Sequence, residues 1–346
     1  MAWQLSRFSL TKRVPLTISR GTTATVEHLL LEISHGGCTG RGETGGFDTG
    51  NHCYQTAALE NELLQWLPCL GEQAPPPPQL WGSLLAPLSP PARCAVDLAL
   101  HDWWAKQLGY PLWQLWGLNL GSCKATSVTL GIAPVEQLLQ RLEQWRSLLP
   151  ASRLKLKLGS PAGIETDQAL VEALLPALAG AELQVDANGG WNLEQAKLML
   201  PWLAERGVVL VEQPLAARSG DEADFAALQG LSSMALVADE SCWGTADLLR
   251  LAPHVQGVNL KLLKTGGLTE ALLMARLAQR LGVGLMLGCY SDSSLLNGAA
   301  AHLLPLVEWP DLDSHLNLSD DPFVAPPRQG DELLPSQLPG LGVERC

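Results

Sequence analysis

The chain has 346 residues, 47% of them hydrophobic, which is enough for a large core, and its formal net charge at pH 7 is −12. This acidic balance disfavours binding to nucleic acid or to an anionic membrane, because the phosphate groups of both would repel the chain. The eight cysteines lack CxxC spacing, residues 1–20 hold no signal-peptide core, and no run of about 18 apolar residues occurs, so we expect a cytoplasmic protein with reduced thiols.

Residues 1–115 predict an α+β domain that caps the rest of the chain. A strand is predicted at 24–33 and a second at 40–44, separated by the glycine turn at 36–37. Helical spacing begins near residue 54 and ends at a run of four prolines. Such a run cannot be helical, so it predicts an extended surface loop.

A longer helix is predicted next, followed by the first elements of a second domain. Ser89 precedes two prolines, an order that predicts a helix start with Ser89 as the N-cap and the prolines in the first turn. This helix is predicted to run through residues 92–106. A glycine-rich turn then leads to a predicted strand at 126–132 and a helix at 134–149.

Short apolar runs, each carrying a charged residue at or near its end, then recur at regular intervals. The runs cover residues 154–158, 183–188, 209–214, 236–240 and 258–261. Their charged residues, which follow one another at intervals of 22 to 29 residues, are Lys157, Asp186, Glu212, Asp239 and Lys261. This interval fits one strand plus one crossover helix, so the runs predict a (β/α)8-type barrel, a modified TIM barrel. We assign the barrel to residues 116–318, with a further strand at 284–289, and expect residues 319–346 to return to the capping domain and complete it.

In such a barrel the carboxyl ends of the strands open into one mouth, where the polar residues converge. Three of these residues, Asp186, Glu212 and Asp239, are carboxylates, and Mg²⁺ prefers oxygen ligands. The seven histidines are dispersed along the chain and form no competing cluster. The residues therefore predict a Mg²⁺ site at the mouth of the barrel.

A lysine lies on each side of the three carboxylates in the predicted strand order. Lys157 precedes them and Lys261 follows them, while Lys155 shares a face with Lys157 because side chains alternate along a strand. A neutral lysine is a competent base, and the pKa of a lysine falls near another cation, which Lys155 would supply. Two opposed lysines with a metal between them suit removal of a proton α to a carboxylate and its return on the other face, through an enediolate that the metal stabilises.

In these motifs the sequence resembles the muconate-lactonizing branch of the enolase superfamily, and within it the dipeptide epimerases related to L-Ala-D/L-Glu epimerase. The resemblance covers nearly the whole chain and includes residues 42–43, 95–102 and 339–342. A lysine base with Mg²⁺ stabilising an enediolate is the known pattern of this superfamily. The resemblance implies an isomerase in which Lys157 and Lys261 are the acid/base pair and the three carboxylates hold Mg²⁺.

The resemblance also implies a set of substrate-binding residues. Asp311 and Asp313 match a DxD motif that holds the α-ammonium group of a dipeptide, and Lys155 is the first lysine of the KxK motif. Asp292 stands where relatives usually have a glutamate, which is longer by one methylene. Arg20 lies next to the position of an arginine that binds a substrate side-chain carboxylate, so a preference for Glu is not implied.

The implied partner is a dipeptide, bound by a homo-oligomer that has no nucleic-acid or membrane partner. Other reactions of the same superfamily use the same lysines and metal: a cycloisomerase, a dehydratase, an o-succinylbenzoate synthase or an N-acylamino acid racemase. The DxD motif favours a dipeptide, because the substrates of these alternatives have no free ammonium group at that point. A third interpretation is a binding protein without catalytic activity on the same barrel.

Overall fold

The computed structural model describes residues 1–346, and its first sheet is antiparallel. Strands β1 (Ala2–Ile18), β2 (Gly21–His35) and β3 (Cys38–Gly45) pair in that order. Shorter strands and four helices complete this capping domain: β4 (Phe47–Asp48), β5 (Cys53–Tyr54), α1 (Thr56–Trp66), α2 (Trp81–Leu85), α3 (Pro90–Leu108) and α4 (Leu112–Leu115).

The capping domain has its own core between the sheet and the helices α1 and α3. Leu29, Leu31 and Ile33 alternate along β2 and are fully buried in it. Helix α3 comes so close to β3 that a Cβ at Gly42 would overlap the carbonyl of Ala95. A glycine is therefore required at this position, because it lets the helix seal the core.

The second sheet has eight parallel strands, each paired with its neighbours in sequence order. They are β6 (Val128–Leu130), β7 (Arg153–Lys157), β8 (Glu182–Asp186), β9 (Leu210–Glu212), β10 (Ala235–Ala238), β11 (Gly257–Leu260), β12 (Gly284–Gly288) and β13 (Trp309–Asp311). Ser127, next to β6, donates its N–H to the carbonyl of Pro310 in β13 at 2.9 Å, so the sheet nearly closes on itself. This confirms the predicted (β/α)8-type barrel with an α+β capping domain.

Helices cover the outside of the barrel and bury its apolar strands. They are α5 (Val135–Leu148), α6 (Ile164–Leu174), α7 (Leu193–Ala204), α8 (Glu222–Leu228), α9 (Thr245–Leu251), α10 (Leu262–Thr265), α11 (Leu268–Leu281) and α12 (Ser294–Ala301). The eighth strand is followed only by the 3₁₀ turn Ser314–Asn317, so the last barrel unit lacks an α-helix. None of the helices combines the length and the apolar character needed to cross a membrane.

The C-terminal segment, which includes the short hairpin of β14 (Arg328–Gln329) and β15 (Glu332–Leu333), touches the capping domain. Asp320 Oδ1 accepts the N–H of Thr11 in β1 at 2.6 Å, and Leu341 N–H donates to Asp102 Oδ1 of α3 at 2.8 Å. These contacts agree with a segment that returns to the capping domain, while the exact domain bounds stay a prediction.

Two local features differ from the sequence analysis. Strand β1 was not predicted, because its residues are mostly half-exposed and mix charged with apolar side chains. Ser89 does precede the first residue of α3, but its side chain does not cap the helix. Its hydroxyl instead donates to Glu62 Oε2 at 2.6 Å, which ties α3 to α1.

His302 contacts two distant parts of the chain, and its burial should make the stability of the protein depend on pH. It is fully buried, accepts the N–H of Trp113 at 3.2 Å and faces the carbonyl of Leu341 at 3.1 Å. Burial lowers the pKa of His302 to about 4, below its usual value near 6.5. Between these two values the unfolded chain binds more protons than the folded one, so the contribution of His302 to stability is complete above pH 6.5 and declines as the pH falls toward 4.

Replacing His302 with Gln should remove this part of the pH dependence. The free energy of unfolding, measured by urea denaturation, should fall between pH 7 and pH 5 by about 2 kcal/mol less in His302→Gln than in the wild type. The exposed His52 offers a matched control, and His52→Gln should behave like the wild type. Equal pH dependence in His302→Gln and the wild type would contradict the assignment.

Candidate active site

Strand register brings the predicted site residues to one end of the barrel. Lys157 lies opposite Asp186, and Asp186 lies opposite Glu212, at the ends of three neighbouring strands. Asp239 directly follows β10, the next strand. The three carboxylates are fully buried, and one oxygen from each lies within 4.8 Å of the other two. The structure thus brings the predicted metal ligands together in a group that could hold a metal ion.

Lysine side chains surround this carboxylate group. Lys157 Nζ lies 2.5 Å from Asp186 Oδ2, and Lys261 Nζ lies 2.7 Å from Asp239 Oδ2. Lys264 also contacts Asp239, with Nζ 2.5 Å from Oδ1, and is itself buried. Lys157 therefore comes from the strand before those that carry the carboxylates and Lys261 from the end of the strand after them, as predicted. Lys264 is almost fully buried.

Lys155 lies deeper in the barrel, where it joins three acidic side chains. Its Nζ is 2.5 Å from Glu212, 2.6 Å from Asp311 and 3.5 Å from Asp186. Burial disfavours the charged form, but the three carboxylates outweigh it and hold the pKa of Lys155 well above its usual value. The charged form of Lys155 is therefore favoured, and it stabilises the acidic cluster.

The donor set fits a hard divalent cation such as Mg²⁺. All three candidate ligands are carboxylates, and burial together with the charge of Asp186 raises the pKa of Glu212 to about 8. Like charges this close repel one another when they are removed from water, so a cation that binds between them is stabilised. Asn259 donates to Glu212 Oε1 at 2.7 Å and orients that carboxylate.

The rim of the site is closed by an ion pair that joins the two domains. Arg20, in the turn between β1 and β2, lies with Nη2 at 2.9 Å from Glu240 Oε1 and donates from Nη1 to the carbonyl of Asn188 at 2.8 Å. The Glu240 side chain is almost fully buried, and Asn188 also donates to it at 3.3 Å. The charge of Arg20 is therefore compensated within the protein.

Asn188, which follows β8, and Gln213, which follows β9, have left-handed backbone conformations that few non-glycine residues adopt. Asn188 has φ 44° and Gln213 has φ 36°. Gln213 uses its side chain to join two strand ends: its Oε1 accepts the N–H of Asp239 at 2.8 Å, and its Nε2 donates to Ser241 at 2.8 Å. Backbone strain of this kind persists where surrounding contacts enforce it, as these do next to Asp239.

A cavity of about 160 Å³, which we call the lysine cavity, lies between the barrel mouth and the capping domain. Both Lys157 and Lys261 line it. Its apolar lining comes from the capping domain and from one barrel loop: Leu16, Ile18, Val26, Phe47 and Tyr290. Tyr290 stacks on Phe47 with ring centroids 4.2 Å apart, so the barrel loop and the capping domain pack against each other in this wall.

A second cavity of about 380 Å³, which we call the aspartate cavity, lies beside the first. Asp313 lines it together with Trp145, Ile132 and Arg141. Asp313 Oδ2 accepts the N–H of Thr129 at 2.6 Å, and Oδ1 has no such partner. A carboxylate with one uncommitted oxygen at the edge of a cavity can bind an ammonium group.

The five predicted substrate-binding residues lie in different surroundings. Asp313 lines the aspartate cavity, and Arg20 lines the lysine cavity but is already paired with Glu240. Lys155 and Asp311 line neither cavity and contact each other below the site. Asp292 also lines neither cavity; it is buried, its Oδ1 has no hydrogen-bond partner, and burial raises its pKa to about 6. The roles of all five stay predictions.

Several residues of the site received no role in the sequence analysis. Asn259 lies two residues before Lys261, and alternation along the strand predicts that the two side chains share a face, but this pattern does not predict the contact with Glu212. No strand pattern identifies Glu240 or Gln213, because their partners come from distant segments. Lys12, which lines both cavities, lies in the unpredicted strand β1.

The chain matches two protein-family models and is similar to several known proteins. Residues 5–117 match the mandelate racemase/muconate lactonizing enzyme N-terminal domain, and residues 136–345 match an enolase C-terminal domain-like model. A hydrophobic dipeptide epimerase from Roseobacter litoralis is 40% identical over 96% of both chains, and one from a Flavobacteria bacterium is 37% identical over 99% of this chain and 98% of its own. A solved structure of a dipeptide epimerase from Enterococcus faecalis, complexed with Mg and L-Leu-L-Tyr, superposes with a TM-score of 0.89 at 26% identity over 99% of each chain.

Mg²⁺ should stabilise the folded protein, because the buried carboxylate group exists only in the folded state. At a Mg²⁺ concentration 100 times its dissociation constant, the free energy of unfolding should rise by about 2.7 kcal/mol. Asp186→Asn and Glu212→Gln should show little of this increase in thermal or urea unfolding. Glu205, whose side chain is 78% exposed, gives the control Glu205→Gln, which should respond to Mg²⁺ like the wild type. An equal Mg²⁺ response in all four proteins would contradict the metal site.

Proposed function

The chain belongs to the mandelate racemase/muconate lactonizing enzyme family of the enolase superfamily, and we propose that it is a Mg²⁺-dependent dipeptide epimerase. The reaction is a 1,1-proton transfer at the C-terminal α-carbon of a dipeptide, which makes the enzyme an isomerase. The names of the most similar relatives support this assignment. The aspartate cavity also supports it, because a free oxygen of Asp313 suits the ammonium group of a dipeptide better than it suits an aromatic acid.

The observation that carries the proposal is that Lys157 and Lys261 line the same small cavity. They come from β7 and from the end of β11, and the three candidate metal ligands lie on the strands between them. A substrate α-carbon held in this cavity would present one face to each lysine. Such an arrangement is what inversion of configuration at a carbon atom requires, since the proton leaves from one face and returns to the other.

The two lysines would exchange roles between the two directions of the reaction. One lysine, as the neutral amine, takes the α-proton, and the other, as the ammonium ion, delivers a proton to the opposite face. Asp186, Glu212 and Asp239 would hold Mg²⁺, which supplies electrostatic stabilisation to the negative charge that develops on the substrate carboxylate. The buried cluster beneath, in which Lys155 joins Glu212 and Asp311, would keep the carboxylates in position.

The lysine cavity favours an apolar residue at the C-terminal position of the dipeptide. Beside the two lysines it offers aliphatic and aromatic walls, and Arg20, the cation at its rim, is already compensated by Glu240. A substrate side-chain carboxylate placed against these apolar walls would therefore lose its hydration, and Arg20 is not free to pair with it. This agrees with the names of the most similar relatives, which are hydrophobic dipeptide epimerases. A cytoplasmic location and a homo-oligomeric assembly remain predictions from the sequence.

Removal of either lysine should abolish epimerisation. Lys157→Met and Lys261→Met should each lower the rate of conversion of an L,L-dipeptide by about 10²- to 10⁴-fold, the usual contribution of a positioned acid or base. Each variant should still exchange the α-proton of one diastereomer with D₂O, because the remaining lysine reaches one face. Conversion and exchange can be followed by chiral chromatography and mass spectrometry.

The exposed Lys124 gives a matched control, and Lys124→Met should retain the wild-type rate. Conversion of the dipeptide at the wild-type rate by Lys157→Met or by Lys261→Met would contradict the two-lysine mechanism. An exchange of both diastereomers by one of these variants would do the same.

A further inference from the structure

Lys12 is a buried cation without a carboxylate partner at the boundary of the two cavities. The residue is only 7% exposed, and its side chain makes one hydrogen bond, to Ser291 Oγ at 2.8 Å. Every other lysine of the site, in contrast, lies within 2.7 Å of a carboxylate oxygen. A buried ammonium group with one neutral partner is costly, so a ligand oxygen in contact with it would be strongly favoured.

The backbone of β1 turns Lys12 toward the barrel mouth. The pairing of β1 with β2 is regular up to Thr11 and resumes at Leu16, so residues 12–15 bulge out of the ladder. Over the bulge, Lys12 bridges to Leu318 and Val14 N–H donates to Asn317 Oδ1 at 3.2 Å, both in the segment after β13. A bulge re-aims a side chain, and here it aims Lys12 away from the capping sheet and into the active site.

The position of Lys12 relative to the cavities identifies the part of the substrate that it meets. Lys12, Leu16 and Tyr290 line both the lysine cavity and the aspartate cavity. A dipeptide whose reacting α-carbon lies in the lysine cavity, and whose ammonium group lies at Asp313, must pass its amide bond across this boundary. Tyr290 gives independent support for a polar ligand group here, because its hydroxyl is buried without a hydrogen-bond partner.

We propose that Lys12 donates a hydrogen bond to the peptide carbonyl oxygen of the dipeptide and so positions the substrate between the two cavities. This inference rests on the proposed function, because it takes the dipeptide as the ligand. Lys12 thereby recognises the amide link itself, which every dipeptide shares, rather than either side chain. It becomes a substrate-binding residue alongside Asp313, and the two contacts together fix the distance between the ammonium group and the reacting carbon.

The proposal can be tested by changing both ends of the hydrogen bond in the Mg²⁺-loaded protein. The ligands are L-Ala-L-Leu and its thioamide, in which a sulfur that accepts hydrogen bonds weakly replaces the carbonyl oxygen, and dissociation constants are measured by calorimetry. Lys12→Met should weaken binding of L-Ala-L-Leu by about 10- to 100-fold, as expected for a hydrogen bond from a charged donor. The thioamide should bind more weakly than the amide to the wild type but equally well to Lys12→Met, because the two changes remove the same contact.

Control variants separate this role from a structural one. Lys12→Gln keeps a neutral donor and should bind the amide with intermediate affinity, while Lys197→Met, on an exposed face of α7, should bind like the wild type. Thermal unfolding of each variant establishes that it is folded. The proposal would be overturned if replacing the amide with the thioamide weakened binding equally in the wild type and in Lys12→Met. A loss confined to L-Glu-L-Leu would also overturn it, because Lys12 would then bind an acidic N-terminal side chain.

Failure of the proposed function gives a different result from failure of this inference. Dipeptide binding without α-proton exchange in the wild type would contradict the epimerase, while the comparison of amide and thioamide would still decide the role of Lys12. If the wild type binds no dipeptide at all, both proposals are wrong.

Discussion

Burial of several like charges at one point is the constraint on which this site depends. Three carboxylates with no exposed surface lie close together at the barrel mouth, an arrangement that costs free energy unless cations compensate it. Lysines from three segments supply that compensation: Lys155 and Lys157 from β7, Lys261 after β11 and Lys264 from α10. The lysines that stabilise this cluster include the two that the proposed reaction needs.

Much of this arrangement could be predicted from the sequence, because parallel strands impose simple rules. Strand ends meet at one edge, and side chains two residues apart share a face, so charged residues at regular intervals must converge. The register of β7, β8 and β9 places Lys157, Asp186 and Glu212 side by side, as this reasoning requires. The barrel and its metal-ligand candidates follow from periodicity that lies within the sequence.

The remainder of the site depends on contacts between distant segments, which periodicity does not encode. Arg20 could be placed near the mouth by resemblance, but its pairing with Glu240 depends on how the capping domain docks on the barrel. Lys12 escaped prediction because a bulge in a half-exposed strand re-aims it. Both residues come from β1 or the turn after it, so the capping domain contributes the rim and part of the substrate walls. The barrel contributes the charged residues beneath them and most of the aspartate cavity.

Epimerase activity is tested most directly by incubating the wild-type protein in D₂O with Mg²⁺ and a panel of L,L-dipeptides, followed by mass spectrometry and chiral chromatography. A dipeptide epimerase with this cavity should introduce one deuterium at the C-terminal α-carbon, together with inversion there, in dipeptides with an apolar C-terminal residue. Uptake should be much slower for dipeptides ending in Glu. No uptake with any dipeptide, from folded and metal-loaded protein, would contradict the epimerase and direct attention to another reaction of the same superfamily.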